Sequence, residues 1–299
     1  MIHKLSELIE KAKNKPIRRL AVAAAEDEAV LKSLKSAIEE GIVTPILIGD
    51  KDKIEKIARS IDFNLSNIQI VHNENGADVS ARIAVTMIKN GEADILMKGF
   101  INTGSLLKAV LDKDNGLRKG NILSHVAFFE SPCYHKLLCV TDVAMNIAPD
   151  FETKVNILNN AVEACHNIGI TTPKVAVVAA VETVNPKMEA TVHAAMLKSM
   201  SERKQLSGCI VDGPLAIDNA VNKQAANHKG IVSEVAGDCD IILVPDIEAG
   251  NIFYKTLNFL GGATSAAVVM GAAVPIVLTS RSDSETSKML SIALAAAMD

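Results

Sequence analysis

Short unbroken apolar runs alternate with amphipathic stretches along this chain. Residues 19–24 (Arg-Leu-Ala-Val-Ala-Ala) show no polar–apolar alternation, so they predict a strand buried on both faces. Residues 28–40 place Val30, Leu31, Leu34, Ala37 and Ile38 on one side of a helix, and Gly41 stops it. The series continues with a strand over 43–49, a helix over 51–60, a strand over 68–71, a helix over 78–89 and a strand over 93–97. A second series starts near Asp150, with helices over 153–167 and 186–200 and strands over 174–178, 208–212, 240–245 and 275–279. Pro186 suits the first turn of its helix, where an N–H has no partner to lose. Residues 285–298 read as a closing helix.

Strand–helix alternation with continuously apolar strands implies parallel sheets covered on both faces. In such sheets ligands sit at the carboxyl ends of the strands, so the loops after strands are the places to look for chemistry. A chain of 299 residues fits two α/β domains packed on each other. Lys plus Arg number 31 against 35 Asp plus Glu, a net charge of −4, which argues against a nucleic-acid partner. Aromatic residues make up 3% with no Trp, so stacking platforms lack material and the core is aliphatic. Five cysteines form no C-x-x-C pair, which excludes a zinc ribbon and fits reduced core thiols in a cytoplasmic protein. The charged, helix-periodic start is not a signal peptide. The uncharged run 256–280 contains Gly261, Gly262, Gly271 and Pro275, so it reads as a buried helix, loop and strand and not as a membrane span.

The patterns G-x-x-x-x-G-K-S/T, G-x-G-x-x-G between strand and helix, H-E-x-x-H and G-x-S-x-G are all missing. Three loops after strands remain. In Met97-Lys98-Gly99-Phe100-Ile101-Asn102-Thr103-Gly104, a glycine, free N–H groups at the next helix start, Lys98 and the following Lys108 suit an anion such as phosphate. In Pro245-Asp246-Ile247-Glu248-Ala249-Gly250-Asn251, the acids serve a hydroxyl, a metal or a base, or simply cap a helix. In Thr279-Ser280-Arg281-Ser282-Asp283-Ser284-Glu285, Arg281 is the first charge after a long apolar stretch and suits bidentate phosphate binding. Ser282 to Glu285 also reads as a capping box. Of the seven histidines, which show no metal-ligand spacing, only His125 is a functional candidate.

The ordered set Met97-Lys98-Gly99 with Asn102-Thr103, Leu123-Ser124-His125, Thr141-Asp142-Val143-Ala144, Asn185-Pro186-Lys187-Met188, Val211-Asp212-Gly213-Pro214, Pro245-Asp246-Ile247-Glu248-Ala249-Gly250-Asn251 with Tyr254-Lys255, and Thr279-Ser280-Arg281 spans the chain. It resembles the phosphate acetyltransferase/phosphate butyryltransferase family, and within it the butyryl-type branch. The resemblance implies the reaction acyl-CoA + phosphate ⇌ acyl phosphate + CoA. It also implies an α/β fold of two domains with a cleft between them, similar to isocitrate and isopropylmalate dehydrogenases. The expected domains are 1–145 with 281–299, and 146–280, which puts Ser280 and Arg281 at the crossing.

By resemblance, Ser280 hydrogen-bonds the CoA thiol and Arg281 binds the phosphoryl group, while Lys98 and Lys108 are further phosphate ligands. Thr103, Ser124, Glu248, Asn251 and Lys255 are the remaining candidate substrate contacts. The acetyl-type relatives carry a catalytic Asp seven residues after the serine; here that position is Ser287, so Asp283 becomes the candidate base, with Glu285 behind it. CoA and phosphate are substrates, no cofactor or metal is implied, and a homo-oligomer is expected. Butyryl or branched short acyl groups are expected, with acetyl as the rival substrate and a non-catalytic CoA or acyl-phosphate sensor as the rival class. A metal-dependent dehydrogenase of similar fold would need an acidic cluster, and Asp238 and Asp240 stand at the wrong end of a strand.

Overall fold

The computed structural model describes residues 2–119, 122–280 and 283–298. In chain order the elements are α1 (Glu7–Lys13), β1 (Arg18–Ala23), α2 (Glu28–Glu39), β2 (Val43–Gly49), α3 (Lys51–Ser60), β3 (Gln69–His72), α4 (Ala77–Lys89), β4 (Ile95–Lys98) and α5 (Thr103–Val110). They continue with β5 (Ser124–Glu130), β6 (Leu138–Thr141), α6 (Phe151–Asn167), β7 (Lys174–Val178), α7 (Glu189–Glu202), β8 (Ile210–Leu215), α8 (Ile217–Val221) and α9 (Lys223–His228). The last are β9 (Ile241–Leu243), α10 (Ile247–Phe259), β10 (Thr264–Met270), β11 (Ile276–Val277) and α11 (Glu285–Ala297).

The chain divides into two compact units, residues 6–121 with 266–299, and 1–5 with 122–265. In the first, the strands run in the order β3-β2-β1-β4-β11-β10. All neighbours are parallel up to β11, and β10 is antiparallel to it. In the second, the order is β5-β6-β9-β7-β8, with β5 antiparallel to β6 and the others parallel. The changeover differs from the limits expected at 145/146 and 280/281 because β5 and β6 join β9, and β10 joins β11. The fold is therefore α/β as expected, but with two antiparallel pairs that an all-parallel reading omits.

Leu20, Ala21, Val22 and Ala23 of β1 are fully buried, which is why the strand needs no polar face. Helix α11 is buried from Ser287 to Ala297 and packs on α1 and α2. A helix apolar on all sides belongs inside, and each fully covered Leu or Ile there contributes ~1.5–3 kcal/mol. Acidic or hydroxyl side chains cap α2, α3, α6, α10 and α11. Asp27, Asp50, Asp150, Asp246 and Ser284 each accept a main-chain N–H from their own first turn. Among the described residues no helix is long and apolar enough to cross a membrane.

Candidate active site

Three loops of the first unit leave its sheet side by side at the carboxyl edge, because β1 and β11 both flank β4 in parallel. Ala23 is level with Lys98, and Val277 is level with Met97. The chain then turns tightly: the Gly99 N–H donates to the Ala23 carbonyl at 2.9 Å and the Phe100 N–H to the Ala24 carbonyl at 2.6 Å. A Cβ on Gly99 would strike the Ala24 carbonyl oxygen, so only glycine fits. Lys98 is buried, and its ammonium is 3.4 Å from the Gly99 carbonyl oxygen. Thr103 opens α5 behind an Asn102 whose side chain caps none of the helix N–H groups. Lys108 is exposed near the far end of α5, ~7.5 Å along the axis from Thr103 at 1.5 Å per residue. Beside these loops a cavity of ≈ 600 Å³ is lined by Ala24, Glu26, Lys53, Lys56, Gly76 and the exposed Phe100.

The loop after β11 carries Ser280, which is exposed. The Ser280 N–H donates to Asp283 Oδ2 at 2.7 Å, and the Asp283 N–H donates to the Ser280 carbonyl at 3.2 Å. Arg281 and Ser282 lie outside the described residues. The capping box expected at Ser282–Glu285 is shifted: Ser284 is the cap, its Oγ accepts the Ser287 N–H at 3.0 Å, and it donates to the Ser287 hydroxyl at 3.1 Å. Glu285 pairs instead with Lys32 at 3.2 Å. Lys288, to which sequence reasoning assigned no role, is buried and donates to the carbonyls of Ser280 and Asp283.

The second unit has its own carboxyl edge. Because β5 runs antiparallel to β6, its beginning reaches this edge, and Ser124 and His125 stand near Thr141 and Asp142. Ser124 is fully buried and its Oγ accepts from Asn160 Nδ2 at 2.9 Å. The buried Asp142 carboxylate accepts the N–H groups of His125, Ala144, Met145 and Asn146 and the Asn146 side-chain amide. It thereby shapes the turn after β6. Gly250 packs on the Asp142 carbonyl, and Asn251 Nδ2 donates to the Val143 carbonyl at 3.1 Å, which seats α10 on this turn. Tyr254 meets the His125 ring edge-on at 5.9 Å between centroids. Asp246 serves as the α10 cap, whereas Glu248 and Lys255 are exposed on its outer side. Thus Ser124 and Asn251 are tied into the scaffold, and Glu248 and Lys255 face solvent.

Two charged clusters were not legible as such. At the amino edge, Asp238 accepts from Lys174 at 2.6 Å and pairs with His135 and Lys136, while Lys136 also reaches Asp240 at 2.8 Å. Burial opposes ionisation of Asp238, and its Lys174, His135 and Lys136 hydrogen bonds override it, so the carboxyl lies well below its ordinary range. Among the described residues, no group of three or more His, Cys, Asp or Glu is arranged to hold a metal.

The second cluster is Lys154 on α6 and His193 on α7, both buried, 3.1 Å apart. Burial, only partly opposed by Glu189, Asp246 and Asp150, holds Lys154 below its ordinary value. Burial and then Lys154 do the same to His193. A basic group lowered on folding leaves the unfolded chain the better proton acceptor, so stability falls as pH falls. For His193 the fall begins at the unfolded value of 6.5 and runs down to the folded one. His193→Gln, which keeps an acceptor for Lys154, is expected to flatten this part of the profile. Melting temperatures of both proteins above and below that pH check it.

The family described as "Phosphate acetyl/butaryl transferase" matches residues 4–81 and 77–296. A phosphate butyryltransferase of Clostridium acetobutylicum is 48% identical over 296 residues, covering 99% of this chain and 98% of the relative. The crystal structure of a branched-chain phosphotransacylase from Enterococcus faecalis V583 superposes with a TM-score of 0.81 at 34% identity, covering 93% and 98% of the two chains. The fold alone extends to a 4-hydroxythreonine-4-phosphate dehydrogenase from Burkholderia phymatum, at TM-score 0.56 and 14% identity over 95% and 98% of the chains.

Proposed function

The chain belongs to the phosphate acetyl/butyryl transferase family and is a phosphate acyltransferase, and from that premise we propose that it moves a butyryl or branched short-chain acyl group between CoA and orthophosphate. The observation that carries this reading is the register of β11 and β1 on β4, which brings the Lys98 loop and the Ser280 loop to one sheet edge. An anion and a thiol that must meet need such neighbouring loops.

In the direction of acyl-CoA formation, the CoA thiol loses its proton and the thiolate sulfur attacks the acyl carbonyl carbon. The carbon–oxygen bond to phosphate then breaks and orthophosphate leaves, with no acyl-enzyme. A free thiol of this kind ionises near ~8.5, so the site must favour the thiolate. Ser280 donates a hydrogen bond to the sulfur, and Arg281 binds the phosphoryl group and the oxygen on which charge builds. Asp283 is the candidate to take the proton, and it stands one hydrogen bond from the Ser280 main chain. Lys98, Thr103 and Lys108 gather the phosphate charges, and the solvent-facing Glu248 and Lys255 are read as further substrate contacts, whereas the buried Ser124 and the Asn251 amide hold the scaffold. The cavity beside Phe100, with Lys53 and Lys56 on its wall, suits the nucleotide end of CoA. CoA and phosphate are substrates and no cofactor enters this scheme. The protein is further read as a cytoplasmic homo-oligomer.

The test is phosphate-dependent thiol release from acetyl-, propionyl-, butyryl- and isobutyryl-CoA by the purified protein. One methylene in an apolar pocket is worth ~1–3 kcal/mol, so butyryl-CoA is expected to exceed acetyl-CoA by ~10-fold or more in kcat/KM. Equal or higher efficiency with acetyl-CoA would assign the acetyl reading instead. No thiol release with any of the four would leave the sensor reading.

A further inference from the structure

Lys288 is a charge with no role in the reaction just described. It sits in the first turns of α11, 3% exposed, where a Met or Leu would satisfy the surrounding core. Its ammonium donates to the Ser280 carbonyl at 3.1 Å and to the Asp283 carbonyl at 2.6 Å. These partners are dipoles and not a countercharge, so they offset only part of the burial cost of a cation. The position adds a second penalty, because the amino end of a helix disfavours positive charge. A cation held against both costs points to use.

What it holds is the Ser280 main chain. Lys288 takes the carbonyl, Asp283 Oδ2 takes the N–H at 2.7 Å, and the Asp283 N–H returns to the same carbonyl. The serine main chain is thereby gripped on both sides, which fixes the Cα–Cβ bond from which its hydroxyl swings. Ser287 is already committed to the Ser284 cap and takes no part.

We propose that Lys288 is a positioning residue for acyl transfer: its ammonium fixes the backbone of Ser280 and adds positive field where thiolate and phosphate both carry negative charge. This rests on the function proposed above. A small displacement of a reacting group costs about 10²-fold, so Lys288→Met is expected to lose ~10² in kcat with KM for butyryl-CoA little changed. Lys288→Arg, which restores the charge and the donors, is expected to regain at least ~10-fold of that loss by the same reasoning. A purely packing role would give the reverse order, since arginine is the bulkier intruder and methionine the better core residue.

Wild type and both variants are to be compared in the phosphate-dependent thiol-release assay, with thermal melting of each. Wild-type kcat in a folded Lys288→Met, or an arginine variant no better than the methionine one, overturns the assignment. If the methionine variant does not fold, Lys288→Gln carries the test, because it keeps a donor and drops the charge. It is expected to lose ~10-fold in kcat, and wild-type kcat there overturns the assignment equally. A wild type that releases no thiol overturns the functional reading and this assignment with it. An active wild type with an equally active Lys288→Met overturns this assignment alone.

Discussion

Arg281→Ala is expected to lower turnover by ~10²–10³ while leaving the melting temperature near that of the wild type. Negative charge develops on an acyl oxygen next to a phosphoryl group that is already an anion. In the proposed scheme the Arg281 guanidinium serves both, since its fork offers two fixed N–H donors and its charge is permanent. Removing one preorganised donor of this kind typically costs two to three orders of magnitude, because water reorganises at the moment of reaction where the protein does not. Arg281→Lys keeps the charge but loses the fork, so it is expected to recover only part of the activity. The expectation rests on sequence: Arg281 is the first charge after the uncharged run 256–280, directly beyond Ser280. Steady-state rates of phosphate-dependent thiol release check it, and an alanine variant within a few-fold of wild-type turnover removes the arginine from the mechanism.

Most of the first unit was legible because its signals are local. The apolar runs at 19–24, 43–49 and 93–97 and the helix face of Val30, Leu31, Leu34 and Ala37 appear in the structure within a few residues of their expected limits. What periodicity does not encode is strand direction. The strand that starts at Ser124 runs antiparallel to β6, and nothing in its apolar pattern shows that reversal. Strand β10 was hidden in the same way, since an uncharged stretch reads equally as buried helix or strand. Pro186 is a further instance. It does not open α7, which starts at Glu189. The turn before it is held by Asn185 and Thr191, whose hydroxyl bonds the carbonyls of Asn185 and Met188, a three-dimensional feature with no periodic signature.

The candidate site was legible where a residue type is unusual for its place and illegible where it is ordinary. A lysine ending an apolar strand at Lys98, followed by glycine, stood out, and the structure gives both a place in a tight turn. Asp246 was open between chemistry and capping, and its hydrogen bond to the Ala249 N–H makes it a cap. Lys288 and the pair Lys154–His193 were invisible for the opposite reason. Lysines on helices are usually solvated, and nothing local shows that these three side chains are turned inward. Ser124 stood at a strand start, the end of a parallel strand away from chemistry. Only the reversed direction of β5 brings it to the carboxyl edge, where Asn160 then holds its hydroxyl.

Gly99→Ala tests whether that tight turn matters as a turn. The added Cβ would meet the Ala24 carbonyl oxygen and lie 2.7 Å from the Ala23 carbonyl oxygen. Both are main-chain atoms, one at the end of β1, where Ala23 pairs with β2 and β4, and one in the residue just beyond it, so no rotamer change relieves the contact. The loop must move instead, which breaks the hydrogen bonds from the Gly99 and Phe100 N–H groups and carries Lys98 with it. Overpacking of this sort costs ~1–3 kcal/mol, and if Lys98 binds phosphate as proposed, its displacement costs ~10² in turnover. Gly104→Ala is the matched control: its Cβ meets nothing within 4 Å, and it lies inside α5. There alanine is expected to stabilise by ~0.5–1 kcal/mol through helix propensity and a stiffer unfolded chain. Melting temperatures and thiol-release rates of the two variants should therefore move apart. If Gly99→Ala melts and turns over like the wild type, the strand ends of β1 and β4 give way more easily than their pairing implies, and the anion site cannot owe its geometry to them.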